Sequence, residues 1–174
     1  MRIASFVMLF VFAAVLAQAQ EQIIDIHAGT TSTNSSPALS LAVPKYAKVI
    51  TKDNKTIVQI PKQLICELWS VADAKTPDDA IAHVPEVIKS EFTGFKASTT
   101  NDITIAGAPA KLLLGSGNEA DDGDDGHADV VIFTVGGQVF AACTHGEGAS
   151  NLNERKALLA LLQTAQSFKS SVKN

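Results

Sequence analysis

The sequence is poor in the residues that usually announce chemistry. It holds two cysteines, one tryptophan and one tyrosine in 174 residues, with no Cys-x-x-Cys spacing, so a thiol redox motif is excluded. Positive charge is not in excess: 14 Lys and Arg face 18 Asp and Glu, and the basic footprint of a nucleic-acid partner is missing. Ser116 lies in Gly115-Ser116-Gly117 without a Gly-x-Ser-x-Gly elbow, and no phosphate loop or dinucleotide fingerprint occurs. No aromatic row accompanies Trp69 as a carbohydrate platform requires, so core packing is expected for it. No catalytic residue is therefore assigned, and a small hydrolase with an unrecognised site is the weakest reading.

What is present fits an exported globular protein. Hydrophobic residues make up 46% and charged residues 18%, which argues against disorder. Met1-Arg2, an apolar run from Ile3 to Leu16, and Ala17-Gln18-Ala19 follow the order of a secretory signal peptide. Cleavage is predicted after Ala19, with a periplasmic or extracellular destination. No later apolar run approaches the roughly eighteen residues of a spanning helix, so no stable membrane insertion is expected after cleavage. The organisation reads as a signal peptide at 1–19, a flexible lead-in at 20–37, a single α+β domain at 38–169 and a tail at 170–174. Export places Cys66 and Cys143 where disulfides persist, but both sit in apolar strand-like runs. A bridge and a pair of small buried thiols both remain open.

The pattern from Ala38 to Val71 has a period of two and predicts strands broken at Pro44-Lys45, Asp53-Asn54 and Pro61. Thr76-Pro77-Asp78-Asp79 is a helix start. Ile81, Val84, Ile88 and Phe92 continue at helical spacing across Pro85, which predicts one bent helix ended by Gly94, with His83 on its surface. Asp129–Val135 and Gln138–Thr144 flank Gly136-Gly137, a hairpin turn that pairs Val135 with Gln138 and Phe133 with Phe140. Both faces of this hairpin are apolar, so it belongs in the middle of a sheet. Asn151 and Glu154 can cap a last helix with Leu158, Leu161, Leu162, Ala165 and Phe168 on one stripe.

In this order of elements, the run Pro77 to Phe95, the segment Ile103 to Ala110 and the Val135-Gly136-Gly137 hairpin resemble the superfamily of PsbP-like photosystem subunits and DcrB-like exported bacterial proteins. The likeness covers about residues 37 to 169. It implies an α+β fold, an antiparallel sheet flanked by helices in an α/β/α-type sandwich, and a non-enzymatic binding or assembly role. No functional residue is carried over from it.

One stretch is unusual. Glu119 to Asp129 holds six of the eighteen acids and no Lys or Arg. Asp121, Asp122, Asp124, Asp125 and Asp129 are candidate ligands for a hard cation such as calcium, yet the EF-hand spacing fails because Ile132 falls where the closing Glu belongs. Weak calcium binding is the most this loop predicts, and no other cofactor is expected. His127, His145 and Glu147 are further candidates. The hairpin register sets the two histidines on opposite faces, so a regular ladder keeps them from sharing a zinc ion. The expected function is an exported, non-catalytic binding or accessory module for an unknown protein or small molecule, with a calcium-dependent protein as the alternative.

Overall fold

A computed structural model describes residues 21–27, 37–52 and 55–167. The expected signal peptide, Phe168 and the tail at 170–174 lie outside them. Strands β1 (Glu21–His27), β2 (Pro37–Pro44), β3 (Lys48–Lys52), β4 (Lys55–Ile60) and β5 (Leu64–Ser70) precede two helices, α1 (Pro77–Ile81) and α2 (Val84–Val87). Then come β6 (Phe92–Ile105), β7 (Ala108–Glu119), β8 (Asp125–Val135), β9 (Gln138–Glu147), α3 (Leu152–Leu162) and β10 (Gln166–Ser167). Seven strands form one antiparallel sheet in the order β3-β4-β5-β9-β8-β7-β6, and β1-β2-β10 form a second sheet.

This corrects the expected α+β, helix-flanked α/β/α sandwich. The described protein is mainly β, with two antiparallel sheets and few helices, the longest of 11 residues. Two local causes account for the difference. Pro85 has no N–H to continue the first helix, so the expected single bent helix is two short ones meeting at His83, with Pro85 in the first turn of the second. The chain then enters β6 at Phe92, two residues before the glycine expected to end the helix. The lead-in also departs from expectation, because residues 21–27 form β1, paired with β2 from Glu21↔Pro44 to Ile26↔Leu39.

Elsewhere the local chemistry acts as its residues dictate. The Thr76 side chain accepts from the Asp79 N–H and the Asp79 carboxylate accepts from the Thr76 N–H, a complete capping box. Asn151 caps α3 by accepting from the Asn153 N–H. The β8–β9 hairpin has the register its glycines imply, Val135↔Gln138 through Gly126↔Glu147, and the Phe133 and Phe140 rings stack at 5.8 Å. Gly136 and Gly137 have φ of 60° and 82°, as a tight two-residue turn demands.

The large sheet is buried on both faces. One face packs Val58, Cys66, Leu68, Phe133 and Phe140 against Leu39, Leu41 and the Leu158, Leu161 and Leu162 stripe of α3. The other packs Trp69, Val130, Ile132, Ala141 and Cys143 under Ala80, Val84 and Ile88. Lys111 of β7 ties α1 down through Asp78, 2.7 Å away, and also reaches Asp102 at 2.7 Å.

Candidate functional site

The second face ends in a polar cluster, and a bulge in β6 builds its wall. Phe92 and Phe95 are three residues apart, so strict alternation would send them to opposite faces. Between Thr93↔Asn118 and Lys96↔Ser116, however, β6 has an extra residue, with Gly94 at φ 64°. The bulge shifts the phase and lays both rings on one face, with centroids 6.4 Å apart. They can lie flat only because the floor is glycine. A Cβ on Gly115 would come within 2.4 Å of Phe95, and one on Gly117 within 2.7 Å of Phe92 and 2.5 Å of the Thr93 carbonyl. The Gly115-Ser116-Gly117 triplet is thus a packing device. Ser116 pairs across the ladder with His127, but the His127 Nε2 has no hydrogen-bond partner, so the serine is not activated by it.

Beside Phe92, four strands and the α2–β6 junction bring Lys55, Glu67, Glu91, Glu119 and His145 together. Glu67 pairs with Cys143 across β5 and β9, and His145 lies two residues further along the same face. Glu119 ends β7 opposite Phe92, and the Ala120 N–H donates to the Glu91 carbonyl at 2.9 Å, which brings the acid before β6 to the acid at the end of β7. The Lys55 Nζ donates to both Glu67 oxygens at 3.3 Å and also to Glu91. The His145 ring tilts against Phe92 at 6.0 Å. The Lys55 and Glu67 side chains are only 10% and 7% exposed, so the pair is screened little by solvent.

The charges respond to that setting. Burial pushes the Glu67 carboxyl above the usual carboxylate range, and the neighbouring Glu91 charge adds to it, outweighing Lys55. Burial acts in the same sense on Glu91, but its bond to Lys55 wins and holds it below that range. For Lys55, burial alone would favour the neutral amine, and the two carboxylates overcome it and raise its pKa. Two atoms stay unsatisfied. The His145 Nδ1 and the Glu119 Oε1 are shielded from solvent, 3.5 Å apart, and neither has a hydrogen-bond partner.

The structure distributes the residues singled out from the sequence among several places. Asp121, Asp122 and Asp124 are exposed in the β7–β8 turn, and the ligand atoms of Asp122, Asp124 and Glu147 lie within 4.8 Å of one another. Asp122 already accepts the Asp124 N–H at 2.9 Å, and Asp125 accepts from the Asn118 amide at 3.0 Å. Asp129 does not belong to the loop at all. It is 1% exposed within β8, on the opposite face, and accepts from the Arg155 Nε at 2.7 Å and from the Ser150 hydroxyl. His127 shares that opposite face, with its Nδ1 3.2 Å from the Gly148 carbonyl, so the two histidines do point apart. Cys66 and Cys143 are free and buried. Because Glu67, not Cys66, pairs with Cys143, the two sulfurs leave the sheet on opposite sides. Burial raises both thiol pKa values.

Of the polar cluster, only His145 was singled out from the sequence. Glu67 carried a signal, a lone carboxylate inside the apolar run Leu64-Ile65-Cys66-Glu67-Leu68-Trp69. A buried acid needs a partner, and that partner, Lys55, stands at the start of the preceding strand.

No protein family matches the chain, and no curated protein does. Several solved structures resemble it, among them these two. One is the protein of unknown function PA94 from Pseudomonas aeruginosa, at 19% identity and TM-score 0.46, over 72% of this chain and 88% of that one. The other is LpqN of Mycobacterium tuberculosis, involved in cell envelope biogenesis, at 17% identity and TM-score 0.46, over 86% and 92%. At such overlap neither likeness carries an argument about function.

Proposed function

We propose that this protein is an exported, non-catalytic binding or accessory module that takes a ligand in an open groove beside its small sheet. The character of that groove carries the reading. It has a volume of about 930 Å³ and is lined by Ile23 and Ser40–Ala42 of the small sheet, by Thr134–Gly136 at the β8–β9 turn, and by Thr164–Ser167 after α3. Glu21 is the one ionisable residue in that lining. Aliphatic, hydroxyl and amide groups can hold and orient a ligand, but they supply no acid–base pair. Glu67 and Glu91 of the cluster beside Phe92 are engaged by Lys55, and the two thiols are buried and kept protonated. Export rests on the signal-like residues 1–19; among the described residues, no helix is long and apolar enough to cross a membrane.

The test is native mass spectrometry of protein purified from its source, alongside an Ala42→Trp variant that fills the groove. A co-purifying species present on the natural protein and absent from the variant is expected. Turnover of ester or phosphoester substrates that Ser116→Ala abolishes would overturn the reading.

A second reading, a calcium-dependent protein, is favoured by one observation, the convergence of Asp122, Asp124 and Glu147. All three are exposed, and a site with no closing bidentate Glu in EF-hand spacing is expected to bind only in the millimolar range of extracellular modules. A melting shift of several degrees at tens of micromolar calcium, lost in Asp122→Asn with Asp124→Asn, would promote it.

A further inference from the structure

We propose that His145, Glu119, Glu67 and Glu91 form a binding site for one divalent transition-metal ion of the zinc type, with Lys55 as the outer partner of its carboxylates. The inference goes beyond the groove reading and uses none of its residues. Three observations carry it.

The first is proximity. One ligand atom each from Glu67, Glu91 and His145 lies within 4.8 Å of the others, and the three come from β5, the α2–β6 junction and β9 of one face. Small side-chain rotations bring such a set to the roughly 2.0–2.2 Å bonds that zinc makes with imidazole nitrogen and carboxylate oxygen.

The second is the pair of orphans. A solvent-shielded imidazole nitrogen and a solvent-shielded carboxylate oxygen 3.5 Å apart, both without a hydrogen bond, are costly if left so. A cation between them satisfies both at once. Glu119 opens the acidic stretch, and one of its oxygens also lies within 4.8 Å of ligand atoms of Asp121 and Asp122, but those two are exposed and neither is an orphan.

The third is charge. Glu67, Glu91 and Glu119 bring three negative charges and Lys55 one positive charge to a largely buried cluster, with His145 neutral as a ligand must be. The deficit is two, which one divalent ion cancels. Lys55 does not preclude it. Each carboxylate has two oxygens and about four acceptor positions, so a carboxylate can keep the ammonium on one side and face the ion on the other, as carboxylates around metals commonly do. A mixed nitrogen and carboxylate set favours zinc or manganese over calcium, which wants oxygen alone.

The experiment uses the mature protein, stripped with chelator and titrated with zinc ion alone in competition with a chromophoric chelator. One equivalent is expected to bind, His145→Ala and Glu119→Gln each to weaken it by about tenfold or more, and Asp122→Asn with Asp124→Asn to leave it unchanged. Imidazole NMR of the unsubstituted protein provides a readout that no variant's folding can confound: zinc is expected to shift the His145 ring nitrogens and spare His127. Absence of stoichiometric binding, unchanged affinity in His145→Ala, or a His145 ring that titrates with acid but ignores zinc would overturn the site. So would a cobalt-substituted spectrum with thiolate charge-transfer bands, which would place the ion on Cys143. Failure here leaves the groove untouched, because Ala42→Trp reads a different region.

Discussion

The Lys55 ammonium stands 3.3 Å from each oxygen of Glu67, and both side chains are nearly buried. Equal distances to the two oxygens mean that the lysine answers the whole carboxylate, while its third interaction holds Glu91.

Lys55→Met leaves Glu67 and Glu91 facing each other without a counter-ion. Breaking a buried pair from one side costs about 3–5 kcal/mol, and urea unfolding at pH 7 should show a loss of that order. The pH dependence separates this cause from lost packing. Without the lysine, both folded carboxyls have pKa values above their unfolded ones, so the variant's deficit shrinks as pH falls from 7 towards 5 and the acids take up protons. A deficit constant across that window would refute the electrostatic account. Lys55→Met with Glu67→Met should recover much of the loss, because replacing both members of a buried pair is far less costly than removing one.

Two glycines on β7 and β9, strands separated by β8, make a contrast. A Cβ at Gly117 meets the Thr93 carbonyl at 2.5 Å and Phe92 at 2.7 Å, whereas one at Gly146 meets only His127 at 3.6 Å. Gly117→Ala presses on backbone that cannot rotate away and should cost about 3 kcal/mol, the upper end of the overpacking range. Gly146→Ala makes ordinary contact and should stay within about 0.5 kcal/mol. Thermal melts of the two variants decide it, and equal melting temperatures would show that the bulge adapts.

These residues also show what was legible in the sequence. The β8–β9 register followed from Gly136-Gly137 alone, since a two-residue turn fixes every pair behind it, and the start of α1 followed from Thr76 and Pro77. Apart from its end at Ile103 and Ile105, strand β6 was hidden because an edge strand exposes both faces over residues 96–102, leaving no apolar alternation to read there. The helical spacing of Ile81, Val84, Ile88 and Phe92 placed those side chains in one core cluster correctly but misstated the backbone: α1, α2 and a bulged strand deliver the same face that one helix would. The polar cluster was illegible because its members come from five places along the chain, joined by the sheet order β4-β5-β9 and by the Ala120 to Glu91 hydrogen bond.

The two thiols predict a pH effect of a stated sign. Burial raises both folded pKa values, while an unfolded cysteine ionises near about 8.5. The thiols' contribution is therefore complete below that value and is lost as pH rises above it, by at most about 1.4 kcal/mol per pH unit for each thiol. Unfolding under reducing conditions between pH 7.5 and 9.5 should show a steeper decline for the natural protein than for Cys66→Ala with Cys143→Ala. Alkylation of the unfolded, unreduced protein should label both cysteines. Failure to label either would mean a bridge, and the sheet would have to be rebuilt to bring opposite faces together.

The last prediction concerns Asp129, which the sequence grouped with the acidic loop. Its oxygens accept from the Arg155 Nε at 2.7 Å and from the Ser150 hydroxyl at 3.1 and 2.9 Å, so it fastens the start of α3 to β8. The carboxylate is 1% exposed, and its removal strands Arg155 and Ser150 together. Asp129→Ala should therefore cost about 2–3 kcal/mol, in the range of hydrogen bonds to charged groups plus an unpaired partner. Asp122→Asn with Asp124→Asn, on an exposed turn, should change stability by no more than about 0.5 kcal/mol. The two variants also divide the calcium question. If Asp129→Ala lowered calcium affinity while leaving the melting temperature alone, Asp129 would be a ligand after all and its pairing with Arg155 incidental. Loss of stability with calcium response unchanged would fix it as the strut between α3 and β8.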